Sequence, residues 1–285
     1  MTGVWTPPAL IQEGTRRLRL DGRHEAEWML ERLLETPAAE LYLDPQRRVP
    51  PDVARRYFEA IDRRAAGEPL QYLLGQTEFF GRTFEVAPGV FIPRPETETV
   101  VDRAAAALRD LQARLGRPLR ILDLGSGSGC IAVTLGCELS ACVVVGVELS
   151  WAALETARRN ARRHQVEARV SFVQGSWIEA LQGAFDGIVT NPPYVASAQV
   201  DRLPLDVRQE PRLSLDGGPD GLDALAYLMA EAPRVLRPGG VFALECGEDQ
   251  VADLQRRADG GAWAHAAETV HDLAGRPRGL ILTRR

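Results

Sequence analysis

The chain of 285 residues contains no lysine; every basic side chain other than its four histidines is an arginine. That absence excludes Schiff-base catalysis through a lysine amine and excludes the phosphate-binding P-loop, which needs a lysine at its end. Cysteine is scarce as well. Cys130, Cys137, Cys142 and Cys246 form no C-x-x-C pair, which argues against a zinc site or a dithiol redox motif. Their apolar or Gly-rich surroundings suit buried, reduced thiols, and a cytoplasmic location is expected. No apolar run reaches the ~20 residues of a membrane-spanning helix. The opening MTGVWTPPAL has no basic region followed by an apolar one, so no signal peptide and no membrane association are expected. There is no long basic stretch either. The formal net charge is −5, and pairs such as Arg16-Arg17, Arg55-Arg56 and Arg63-Arg64 are interleaved with acids, as on solvated helix faces. A dedicated nucleic-acid binder normally has a basic domain, so stable nucleic-acid binding is not expected. Asparagine occurs only twice, at positions 160 and 191.

What is present changes character along the chain. Residues 1 to about 75 read as helices. HEAEWMLERLLET places Ala26, Leu30, Leu33 and Leu34 at helical spacing, and DVARRYFEAIDRRAAGE does the same with Val53, Tyr57, Phe58 and Ile61 before Gly67 ends it. EFFGRTFEVAPGVFIPRPETE carries β-favouring residues around Gly81 and the turn Pro88-Gly89, a hairpin signal. From about residue 97, apolar strands alternate with helices: RILDL, ACVVVGVEL, RVSFVQG, FDGIVTN and GGVFALECG, then AAETVHDL and RGLILTR, which AGRP joins as an antiparallel pair. Such alternation implies an α/β fold with a mostly parallel sheet covered on both faces. The expected organisation is a small helical domain over 1–76, a β-hairpin linker over 77–94 and an α/β domain over 95–285.

Asp123-Leu124-Gly125-Ser126-Gly127-Ser128-Gly129 follows the first long strand and opens a helix. Such a turn lets the backbone approach a ligand closely, with helix N–H groups facing it. A dinucleotide fingerprint is G-x-G-x-x-G, but here the third glycine comes one residue early. The G-x-G-x-G form seats the amino-acid end of S-adenosyl-L-methionine (SAM). Glu148 ends the next strand, where an acid can accept both ribose hydroxyls; Leu149 follows it. In Gly175-Ser176-Trp177, Ser176 is placed to meet the adenine, and Trp177 either covers the base or packs under its loop.

Asn191-Pro192-Pro193-Tyr194 follows FDGIVT, at the sheet edge where ligands bind. Proline donates no hydrogen bond and stiffens the backbone, so this corner offers carbonyl acceptors at fixed positions beside the Asn191 side-chain carbonyl. Two acceptors match the two hydrogens of an –NH₂ group, and Tyr194 can lie against a planar target. An amide or aromatic amine is a poor nucleophile; acceptors for its N–H groups favour the charge that develops as it attacks. The predicted chemistry is methylation of a planar amino group, with Asn191, Pro192 and Tyr194 as catalytic residues. Arg94 and Thr97, in IPRPETE, form either one wall of the substrate channel or a plain linker, with Thr97 near the cofactor. Glu210 is either an orienting group for Asn191 or Tyr194 or an exposed loop acid.

NPPY alone leaves adenine N6, cytosine N4 and protein glutamine open. The whole chain, however, resembles the release factor glutamine methyltransferases, the PrmC/HemK family. The resemblance is carried by GEPLQYLLG (67–75), FFGRTFEVAPGVFIPRPETE (79–98), LDLGSGSG (122–129), VELS (147–150), FDGIVTNPPYV (185–195), EPRLSLDGGPDGL (210–222), RPGGVFALECGEDQ (237–250) and DLAGRPRG (272–279). It implies a seven-stranded, Rossmann-like class I SAM-dependent methyltransferase domain behind a helical domain that grips the substrate. It also implies methyl transfer from SAM, leaving S-adenosyl-L-homocysteine. The acceptor would be the side-chain N5 of the Gly-Gly-Gln glutamine in class I peptide-chain release factors. On the matching positions, Gly125 to Gly129, Glu148, Trp177 and Asn191 would meet cofactor; the reading of the residues themselves adds Asp123, Leu149, Ser176 and Thr97. Asn191, Pro192, Pro193 and Tyr194 would hold the glutamine, and Arg94 joins them on the reading of IPRPETE as a channel wall. Glu148 stands where many relatives carry aspartate, which lengthens the ribose contact without changing its charge. The alternative is a nucleic-acid amino-methyltransferase.

Overall fold

Helical periodicity in the first quarter of the chain becomes a helical unit in the computed structural model, which describes residues 5–18, 22–179, 181–259, 261–264 and 267–285. Four helices build that unit: α1 (Pro7–Leu18), α2 (Arg23–Leu34), α3 (Pro51–Ala65) and the short α4 (Leu70–Leu74). Their apolar stripes meet in one core of Leu10, Ile11, Ala26, Met29, Leu30, Tyr57, Phe58 and Ile61. Val53, Leu33 and Leu34 sit at its margin, half-buried. This compact unit comprises Met1–Gln76 and also the distant segment Pro204–Gln209. Leu205 packs where Gly67 has no side chain; a Cβ there would lie 2.3 Å from Leu205 Cδ2. No local pattern in the sequence announces that return.

The second unit comprises Thr77–Leu203 and Glu210–Arg285. It opens with a hairpin, β1 (Gln76–Phe79) and β2 (Arg82–Glu85). At its turn Phe80 and Gly81 both take positive φ, 54° and 66°, which suits the twist of a two-residue hairpin. Phe79 and Phe84 are fully buried in the core of this unit, so the hairpin is built into it.

Next come α5 (Pro95–Leu115), β3 (Leu119–Leu124), α6 (Cys130–Glu138), β4 (Cys142–Glu148), α7 (Trp151–Arg163), β5 (Val170–Gln174) and β6 (Phe185–Thr190). The short α8 (Ser197–Val200) precedes α9 (Asp223–Val235), β7 (Leu236–Glu245), α10 (Val251–Ala258), β8 (Glu268–His271) and β9 (Pro277–Thr283). Ala266, in the segment expected to begin the penultimate strand, lies outside the described residues. The seven strands β3 to β9 form one sheet in the order β5-β4-β3-β6-β7-β9-β8. The first five pair in parallel, and β9 enters antiparallel between β7 and β8.

Side chains of successive strand residues alternate between the faces. Ile121, Val144, Val241 and Ala243 join one core with α5, α6 and α7. Leu122, Val147, Phe242 and Leu244 join the other with α9 and α10. Both faces are therefore dry, which is why the strands read as continuous apolar runs. The carboxyl ends of β3, β4, β5 and β6 open on a single edge, and the chain reverses order between β3 and β6 there. Ligands bind at such switch points in open α/β sheets.

Candidate active site

A cavity of about 480 Å³ lies at that edge, within the size range of small-molecule and cofactor sites. The residues that follow each of the four strands line it: Gly125 and Gly127 after β3, Glu148 to Ser150 after β4, Gly175 to Trp177 after β5, and Asn191 and Pro193 after β6.

Gly125, Gly127 and Gly129 all take positive φ, 72°, 54° and 79°. Neighbours crowd two of the three: a Cβ on Gly125 would stand 3.2 Å from the Trp177 ring and one on Gly129 2.9 Å from Ala157 Cβ. Glu148 fastens this loop to the next strand. Its Oε2 accepts from the Gly127 N–H at 2.8 Å and its Oε1 from the Ser150 N–H at 2.8 Å. Each oxygen keeps acceptor capacity toward the cavity. Ser176 and Trp177 face the same space; Trp177 takes a positive φ of 46°, rare for a bulky residue.

Three expected cofactor residues lie behind the wall. Asp123 is fully buried; its Oδ2 accepts from the Ala132 N–H at 3.1 Å, and burial pushes its pKa up to about 7. Ser126 and Ser128 are buried as well. Asp123 and the two serine side chains therefore shape the loop from beneath, and the Ser126 hydroxyl donates to the Asp123 carbonyl at 3.1 Å. The second asparagine of the chain completes this support. Asn160, on α7 and fully buried, donates to the Ser128 carbonyl at 2.8 Å and brackets Glu85 of β2, accepting from its N–H at 2.7 Å and donating to its carbonyl at 3.0 Å.

The Asn191 corner is held from two sides. Its Nδ2 donates to the Thr97 hydroxyl at 3.0 Å, and among the described residues no donor is bonded to its Oδ1. Thr97 sits in the first turn of α5 and is itself buried, so it meets Asn191 and stands back from the cavity. Tyr194 donates its hydroxyl to Glu245 Oε1 at 3.0 Å, and burial pushes its pKa far above the usual phenol range. Gln250 donates to the Tyr194 carbonyl at 2.9 Å. Pro192 is buried, and among the described residues no donor is bonded to its carbonyl.

Arg94 caps the entry to α5 and pairs with Glu210; its guanidinium lies 4.8 Å from the centre of the Phe91 ring. Glu210 is buried rather than an exposed loop acid, and its Oε2 accepts from the Ile92 N–H at 3.0 Å. Through these bonds it braces the IPRP segment. Pro211, Leu213 and Ser214 of the same loop line the cavity, with Phe91 beyond the glycine loop and Asp223 and Tyr227 from α9. Phe91, Asp223 and Tyr227 were not singled out from the sequence. Asp223 and Tyr227 lie in no motif, and Phe91 sits in the 79–98 stretch with no local signal of its own; the sheet edge brings all three to the glycine loop.

The donor set fits SAM. A bare glycine loop suits a charged amino-acid end, an acid at the end of β4 suits a ribose diol, and Ser176 beside Trp177 suits a purine.

Comparison with known proteins agrees with this arrangement. A model described as the methyltransferase small domain matches residues 81–205, and one described as the PrmC N-terminal domain matches residues 9–75. A release factor glutamine methyltransferase of Moorella thermoacetica is 43% identical and is aligned over 96% of this chain and 97% of its own. One of Geobacter sulfurreducens is 42% identical over 86% of this chain and 83% of its own. Among solved structures, the hMettl16 catalytic domain in complex with a MAT2A 3′UTR hairpin shares the fold. Its TM-score is 0.57 at 15% identity, over 82% of this chain and 80% of that one.

Proposed function

Because this chain belongs to the family of release factor glutamine methyltransferases, and is a SAM-dependent protein-glutamine methyltransferase, we propose that its acceptor atom is the side-chain N5 of the glutamine in the Gly-Gly-Gln motif of class I release factors. The observation that carries this reading is that Asn191 lines the cavity with its Nδ2 committed to Thr97, so that its Oδ1 has no donor bonded to it among the described residues.

Bound SAM supplies an electrophilic methyl group on a sulfonium. Gly125 and Gly127 would hold its amino-acid end, Glu148 its ribose, and Ser176 with Trp177 its adenine. Asn191 Oδ1 and the Pro192 carbonyl accept the two N–H bonds of the glutamine amide. That draws its nitrogen lone pair out of conjugation and stabilises the positive charge on nitrogen. Tyr194, anchored by Glu245, keeps the corner rigid and backs the planar amide. No base is required before transfer, because the N–H becomes acidic once the nitrogen is alkylated. Arg94 and Glu210 brace the wall beside the acceptor, and the helical unit grips the release factor. The reaction is placed in the cytoplasm, with no membrane or stable nucleic-acid partner.

Mass spectrometry of an unmodified release factor incubated with the enzyme and SAM tests the proposal. One methyl on the Gly-Gly-Gln glutamine is expected, formed about 10²–10³-fold more slowly by Asn191→Ala, the scale of losing one preorganised contact. Methyl found on DNA or RNA instead of on protein would overturn it.

A further inference from the structure

We propose that Glu245 is a positioning residue: its carboxylate is the last acceptor of a hydrogen-bond chain running from Asn191 Nδ2–H to Thr97 Oγ1–H to Glu245, and this chain sets which end of the Asn191 amide faces the substrate. The inference rests on the reading that Asn191 holds the acceptor amide.

Glu245 ends β7 and is 1% exposed, directly behind the NPPY corner. An amide such as Asn191 has a donor end and an acceptor end of nearly equal shape, so packing alone does not choose between them. Hydrogen-bond direction does. A hydroxyl that gives its proton to a carboxylate has only lone pairs left, and its neighbour must then donate. Asn191 does donate to Thr97, at 3.0 Å. The Thr97 hydroxyl lies beside the Glu245 carboxyl and pulls its pKa downward. Oε2 of that carboxyl is buried without a hydrogen-bond partner among the described residues, since Tyr194 takes only Oε1. The Thr97 to Glu245 link is the inferred step of the chain, with Oε2 as the acceptor left for it. A carboxylate accepts from both Tyr194 and Thr97. A protonated carboxyl gives its own proton to Thr97, which frees the Thr97 proton to turn toward Asn191 and favours the wrong end of the amide.

Protonation of Glu245 thus controls the chain. Burial pushes its pKa up to about 7. Glu96 on α5 acts in the same direction; the Thr97 and Tyr194 hydroxyls and Arg278 on β9 oppose it. The nearby thiols of Cys130 and Cys246 are themselves pushed up to about 12 by burial and stay neutral. The fraction of ionised Glu245, and with it kcat, rises as pH increases through about 7 and then levels off.

The test is steady-state kinetics on a release factor across pH, with wild type, Glu245→Gln, Thr97→Val, Thr97→Ser, the Glu245→Gln/Thr97→Val double variant and Asn191→Ala. Glu245→Gln keeps the volume and an acceptor for Tyr194 but presents an amide donor to Thr97. Its kcat is expected to fall about 10²-fold, the scale of a misplaced reacting group, with little change in KM for SAM and with the limb near pH 7 gone. Thr97→Val should fall equally, and Thr97→Ser should retain turnover. The double variant should fall no further than either single one, because both break one chain. Full kcat in Glu245→Gln, or additive losses, overturns the inference while an inactive Asn191→Ala leaves the proposed function standing. An active Asn191→Ala overturns that function itself. If Glu245→Gln fails to fold, as melting would reveal, the Thr97→Val and Thr97→Ser pair decides: equal turnover in the two refutes the chain.

Discussion

Asn160 is the strongest test of how the loop is held. Truncation to alanine removes three hydrogen bonds at once: two to Glu85 and one to the Ser128 carbonyl. Ser128 is 1% exposed, so water does not replace the partner of its carbonyl, and an orphaned buried group costs about 1–3 kcal/mol. Glu85 is half-buried and regains water at part of that cost. The sum is about 2–4 kcal/mol. For a chain of this size that lowers Tm by about 3–7 °C.

The isosteric Asn160→Asp separates hydrogen-bond direction from volume. An introduced carboxylate still accepts from the Glu85 N–H, but its second oxygen faces the carbonyls of Ser128 and Glu85 with no hydrogen to offer. Burial and those carbonyls raise its pKa, so protonation restores a donor. The expected loss of Tm relative to wild type is therefore larger at pH 8 than at pH 6, and at pH 8 it matches or exceeds that of Asn160→Ala. Calorimetry at both pH values measures this, and titration with S-adenosyl-L-homocysteine should show weaker binding in both variants because the Ser128 carbonyl belongs to the glycine loop proposed to hold the cofactor. A variant carrying Asp at this position with wild-type Tm at pH 8 would refute the reasoning.

Two further outcomes are expected. Asp123 and Glu245 are both pushed up by burial to about 7, from ordinary values of 3.8 and 4.5; the folded chain keeps protons that the unfolded chain has released, so their contribution to stability is full below about pH 4 and is lost as pH rises toward 7. Melting between pH 5 and 8 should show this decline, and Asp123→Asn should flatten it; an unchanged slope would remove Asp123 as a source. Gly129→Ala places a Cβ 2.9 Å from Ala157 Cβ at a φ of 79°, a left-handed conformation that costs a non-glycine residue about 1–2 kcal/mol. If the loop moves to relieve it, affinity for S-adenosyl-L-homocysteine should fall about 5–30-fold, and unchanged affinity and Tm would show that the position tolerates a side chain.

Much of the fold was legible because both faces of the sheet are dry. Runs such as RILDL and FDGIVT cannot be polar on alternate residues, and their spacing with helices announces a parallel order. The glycine loop, Glu148 and the Asn191 corner were legible for a related reason. Each follows a strand directly, so its place at the sheet edge comes with the strand. Other contacts carried no local signal. Glu210 reads as an ordinary loop acid, yet it is buried and bonded to Ile92, 118 positions away. Arg94 was expected at the substrate, and its pairing with Glu210, 116 positions away, carried no local signal. Thr97 was expected near the cofactor, and the bond it accepts from Asn191, 94 positions away, was not legible in the sequence.

Local sequence by itself determined the strands, the helices, the bare loop and the rigid amide corner, because backbone sterics and hydrophobic period act over a few residues. Only the tertiary structure decided what stands behind them. Asn160 under the glycine loop, Glu245 under Tyr194 and the return of Pro204–Gln209 to the helical unit all depend on strand order. Strand order brings together groups whose separation along the chain leaves no periodic trace.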